Sequence, residues 1–145
     1  MLIRILSFTF DGKSKFDIIQ PGDLVHCDFG ISYLTLNTDC QQIAYVLKPN
    51  ESEAPEYLSN ALKEANRLQD IFTDNFGYKK TGNQILKESL EQAKSEGLNP
   101  QIYTHPLGTF GHSAGTTLGM WDSQSGVPFK GDFEMNYDTS YAIEL

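Results

Sequence analysis

An α+β fold is predicted for this chain of 145 residues on three observations. Strand-like runs gather towards both ends, two helical stripes lie together in the middle, and no internal repeat or low-complexity tract interrupts them. Residues 1–145 are read as one domain, long enough to bury a real core.

The elements follow in order. Residues 1–10 alternate loosely and predict a strand, followed by a turn at Asp11-Gly12. Gln20-Pro21-Gly22-Asp23 is a second turn signal. Leu24–Phe29 then has strand composition, as does Cys40–Leu47. With Gly30 and Asn37-Thr38 between them, a hairpin is the economical connection. From Pro55 to Phe72, apolar Leu58, Leu62, Ala65, Leu68 and Phe72 recur at helical steps, and Gly77 closes the pattern. Thr81 is placed to cap a second helix with Ile85, Leu86, Leu90 and Ala93 inward and Gly97 as its stop. Neither helix carries an obvious catalytic group, so both read as scaffold against a sheet. Gln101–Thr104 suggests a short strand. Glycines crowd in after it, Met120–Asp138 is loop-like, and Thr139–Leu145 is a final strand.

Composition excludes several classes. Nine Phe and seven Tyr are more than a disordered chain carries. A net charge of −8 argues against nucleic acid, whose phosphates need clustered Lys and Arg. That charge reads as a solvated acidic surface, or in part as a cation site. No apolar run reaches the length of a membrane span. Met1–Phe10 has one Arg and the short apolar stretch Ile5–Phe10, without a signal peptide's longer core and cleavage site. The expected location is therefore cytoplasmic. Cys27 and Cys40 form no disulfide framework and no zinc-finger spacing, which favours free thiols in a reducing compartment.

Asp28 is the most informative residue, because it interrupts a run that otherwise reads as a buried strand. A carboxylate buried there costs several kcal/mol unless a cation or hydrogen-bond donor meets it. Asp39 opens the next strand eleven residues later. A hairpin symmetric about the Tyr33–Leu34 bond places Asp28 directly opposite Asp39, and facing carboxylates repel. A divalent cation between them removes the conflict. The plainer alternative is a strand-edge Asp and a turn Asp, each hydrogen-bonded locally. The same symmetry sets Cys27 opposite Cys40 on the other face, so a cross-strand disulfide is geometrically conceivable but less favoured than free thiols.

His105 and His112, seven residues apart in a glycine-rich stretch, are both candidates to face a cleft. His26 shares strand parity with Asp28 and reads as a core histidine or a supporting group. Glu144, an acid in the apolar run Tyr141–Leu145, repeats the puzzle of Asp28. Asp28, Asp39, His105 and Glu144 make an oxygen-rich set with one imidazole. That set suits Mn²⁺, Fe²⁺, Co²⁺ or Zn²⁺ better than Ca²⁺ or a thiolate site.

This ordered pattern resembles the pita-bread metallopeptidases: methionine aminopeptidases, Xaa-Pro aminopeptidases and prolidases. Pro21-Gly22-Asp23-Leu24-Val25 before Asp28-Phe29-Gly30 looks like the family's first metal strand, and the likeness covers about Ile19 to Leu145. The resemblance implies a curved antiparallel sheet with outer helices. It implies two divalent ions, with Asp28, Asp39, His105 and Glu144 as ligands and Asp39 bridging. His112 would hydrogen-bond a peptide substrate, and Glu144 would also move a proton during hydrolysis of an N-terminal peptide bond. Homodimerisation is left open.

The chain also departs from the family. It stops one residue after Glu144, before a fifth ligand, so an incomplete catalytic domain with one weak metal site is expected, with the start expected to be incomplete too. Residues 1–20 hold no His, Pro106 stands where Gly is usual, Ser113 follows His112, and Leu145 follows Glu144. These departures point to an Xaa-Pro-peptidase-like branch. The second reading is a non-catalytic module that binds peptides or a protein on the same fold.

Overall fold

The computed structural model describes residues 19–108 and 112–145, together with the backbone of residues 3–5. Strand β1, Ile3–Ile5, falls inside the strand predicted for residues 1–10, while the Asp11-Gly12 turn lies outside the described residues.

β2 (Leu24–Phe29) pairs parallel with β1 on one side and antiparallel with β5 (Cys40–Tyr45) on the other, in the order β1-β2-β5. The parallel β1–β2 edge differs from the antiparallel pairing that the resemblance implies. The chain enters β2 through the anticipated turn, where Gly22 at φ 93° supplies the left-handed backbone. Gly22 N–H donates to the Val46 carbonyl at 2.7 Å, and Val46 N–H to the Asp23 carbonyl at 2.9 Å. Pairing therefore runs one residue beyond Tyr45, and Leu47 lies outside the strand.

The hairpin register corrects the sequence reading. β3 (Ser32–Tyr33) pairs with β4 (Leu36–Asn37), Ser32 facing Asn37 and Tyr33 facing Leu36, so the reversal is at Leu34–Thr35. Symmetry about that bond sets Asp28 opposite Gln41, Phe29 opposite Cys40 and Cys27 opposite Gln42. Asp28 does not face Asp39, and Cys27 does not face Cys40. Both cysteines are free thiols. The shift is by two residues, so side-chain parity is preserved and the cysteines remain on the face away from Asp28.

α1 (Glu56–Asp74) runs two residues past the predicted end. Asn75 caps it, its backbone N–H and its side-chain amide both donating to the Ile71 carbonyl, at 3.3 and 2.8 Å. Only the C-terminal half of its apolar stripe is covered: Leu68, Ile71 and Phe72 are buried, while Leu62 is 59% exposed. α2 (Gly82–Ser95) matches its prediction closely. Thr81 Oγ1 accepts the Gln84 N–H at 3.2 Å, and Gln84 Oε1 accepts the Thr81 N–H at 2.8 Å, a complete capping box. Ile85, Leu86, Leu90 and Ala93 all point into the core.

β6 (Tyr103–Pro106) pairs antiparallel with β7 (Tyr141–Glu144), and Thr104 also exchanges backbone bonds with Leu118 at 3.0 and 2.9 Å. Ile102 was expected inside this strand. Its N–H and carbonyl are instead taken by the side-chain amide of Gln124, at 2.9 and 2.8 Å. The core joins α1, α2, Ile102, Leu118 and Met135, with Phe76 and Tyr141 packed edge-on to one another at its margin. Gly82 starts α2 against the Thr116–Thr117 backbone, where a Cβ would run into the Thr117 carbonyl. No helix among the described residues is long and apolar enough to cross a membrane.

Candidate functional site

β6 carries His105 into the interior, where the residue is 4% exposed. Its Nδ1–H donates to the Pro106 carbonyl at 3.2 Å, since a carbonyl can only accept. That bond sets the ring's orientation and turns Nε2 towards two acids. Glu144 Oε1 on β7 stands 3.3 Å from Nε2, and Asp39 Oδ2, in the short connection from β4 to β5, stands 3.5 Å from it.

One nitrogen facing two carboxylates is favourable only if something positive lies between them, either a second ring proton or a cation. The donor set of one imidazole and two carboxylates suits a borderline divalent metal. Two ligands about 2.1 Å from a tetrahedral ion lie about 3.4 Å apart, which the two observed separations bracket. The convergence is pairwise, however. Among the described residues, no three His, Cys, Asp or Glu side chains are closed into a cage ready to hold an ion. The residues suit one ion in donor type and in two pairwise separations, but among the described residues they do not form a three-ligand site.

His112 is brought to the same place. Its ring stacks on His105 at 4.0 Å between centroids and 26° between planes, and it is exposed on the cavity side. Tyr103 lies 5.4 Å from His105, ring to ring. Burial pushes its phenol pKa above the ordinary value, and the negative charges of Glu144 and Asp39 push it further in the same direction.

Asp28 is the sequence candidate that the structure leaves apart. It is exposed near the end of β2, so the burial cost inferred from its apolar neighbours does not arise. Asp39 lies just outside the ladder, before the Cys40 that faces Phe29, so the two carboxylates are not a facing pair. His26 lies on that face too, and its Nε2 meets Gln41 Oε1 at 3.0 Å, a local hydrogen bond rather than a contact with Asp28.

The His105–His112 pair opens onto a cavity of about 740 Å³. Its lining comes from β6 and the segment after it, including Ser113 and Gly115, and from Met120, Lys130, Phe133 and Glu134. Sequence reasoning took residues 120–138 for a plain loop and missed their part in the lining. One signal was available: Lys130 is the single Lys or Arg after Lys94.

No family model matches the chain, and neither a curated protein nor a solved structure is significantly similar to it.

Proposed function

We propose that this protein hydrolyses N-terminal peptide bonds in a metal-dependent reaction, in the manner of Xaa-Pro aminopeptidases and dipeptidases, on a pita-bread fold. The observation that carries this reading is the approach of Asp39 and Glu144 to the single Nε2 of His105. A divalent ion bound by these three residues would lower the pKa of a water and polarise the scissile carbonyl. His105 is oriented for that role by its bond to Pro106. His112, stacked on His105 and open to the cavity, is placed to donate a hydrogen bond to the substrate. Glu144 is half-buried at the same edge, where a carboxylate can take up a proton and release it to the leaving amine. In a two-ion version, Asp28 would serve the second ion with Asp39 as the bridge.

A non-catalytic peptide-binding module is the second reading, and the lack of a three-ligand site among the described residues favours it. Metal dependence separates the two. Purified protein is assayed against Xaa-Pro dipeptides and tripeptides with Mn²⁺, Co²⁺, Zn²⁺ or a chelator. The enzyme reading expects hydrolysis that the chelator abolishes and that Asp39→Asn lacks. Peptide binding that survives both, without hydrolysis under any metal, would transfer the assignment to the module.

A further inference from the structure

We infer that Lys130 recognises the free carboxylate of a short apolar peptide lying in the cavity onto which His105 and His112 open. The inference rests on the peptide reading of that cavity and specifies its substrate class. Its volume, about 740 Å³, is within the range of about 300–1,000 Å³ that holds small ligands. Met120 and Phe133 supply apolar surface for a side chain, and Lys130 adds a cation to the same lining.

Two further facts single out Lys130. It is the only Lys or Arg after Lys94, in a stretch that also holds Asp122, Asp132, Glu134, Asp138 and Glu144. Even so, among the described residues none of these acids lies within ion-pair distance of it. An ammonium left without a carboxylate in an acidic neighbourhood is available to a ligand's. Among the described residues that line the cavity, Glu134 is the one other charged side chain, and Lys130 is the cation there that can attract an anion.

The base of the side chain is also fixed. The Lys130 carbonyl accepts the Thr117 N–H at 2.9 Å and the Thr116 hydroxyl at 3.3 Å. Phe129 before it holds φ 67°, and Asp132 Oδ2 accepts the Phe129 N–H at 2.9 Å. The backbone at Lys130 is thus tied to Thr116 and Thr117 through its carbonyl and held in a local turn through Phe129 and Asp132.

The test is calorimetric binding of the dipeptide leucyl-phenylalanine and of its C-terminal amide, under chelator so that no turnover intervenes. The acid is expected to bind up to about five-fold more tightly than the amide. Lys130→Gln should erase the difference and Lys130→Arg should keep it, with unchanged circular dichroism in both because Lys130 is exposed. Equal affinity for acid and amide, no binding of either, or a preference that survives Lys130→Gln would overturn the proposal. Hydrolysis on restoring Mn²⁺ is scored separately, so an absence of catalysis counts against the peptidase reading without obscuring the carboxylate preference.

Discussion

His105 and Glu144 are diagonal neighbours on β6 and β7, His105 facing Ala142 and Tyr103 facing Glu144, yet Nε2 and Oε1 come within 3.3 Å. Diagonal positions share a sheet face and lie within reach of long side chains. Asp39 arrives from a separate hairpin to meet the same nitrogen. Replacing His105 by Gln keeps much of the buried volume but removes the shared donor. Affinity for Mn²⁺ or Zn²⁺ should fall at least about ten-fold, with helical content unchanged. Unaltered metal binding in a calorimetric titration would remove the cluster from consideration as a metal centre.

The two aspartates should separate in the same titration. Asp39 approaches His105, whereas Asp28 is exposed opposite Gln41. Asp39→Asn is expected to weaken the first metal equivalent markedly, and Asp28→Asn to affect it by less than about three-fold. Equal losses would mean that the Leu34–Thr35 register does not govern the site.

Thr81 links the scaffold to the cavity, because the helix it caps begins against Thr116 and Thr117. Gly82 N–H donates to the Thr116 hydroxyl at 3.0 Å, and that hydroxyl in turn reaches the Lys130 carbonyl. Loss of the capping box in Thr81→Ala should cost about 1 kcal/mol, with Thr81→Ser close to neutral. Urea unfolding of the three proteins decides the point, and an Ala variant as stable as wild type would show that the cap contributes nothing.

Arg67 grips Glu96 with a two-pronged hydrogen bond, Nε to Oε2 at 2.8 Å and Nη2 to Oε1 at 2.7 Å, tying α1 to the end of α2. That guanidinium holds the Glu96 carboxyl below its ordinary value of 4.5. A depressed carboxylate contributes stability above its unfolded pKa, and that contribution is lost as the pH falls through the lower folded value. Glu96→Gln should therefore be less stable than wild type at about pH 7, the gap narrowing as the pH falls below the ordinary value of 4.5 and through the lower folded one. Both groups are largely solvated, so the effect is modest. A gap that stays constant over that fall in pH would contradict the assignment.

The sequence by itself determined the local features. Thr81 with Gln84, and the spacing of Ile85, Leu86, Leu90 and Ala93, specify α2, because caps and helical periodicity are short-range physics. His105, His112 and Glu144 were visible for a similar reason: polar groups stand out inside glycine-rich or apolar runs. Only the tertiary structure decided how such pieces meet. The hairpin reverses at Leu34, which holds φ 57° without being Gly or Asn, so its turn carried no residue signal. That two-residue displacement moved Asp28 from Asp39 to Gln41. The cavity lining around Lys130 was equally hidden, because loop 120–138 has no periodicity of its own. Its position comes from hydrogen bonds to Thr116 and Thr117, partners far enough away in sequence that no local pattern encodes them.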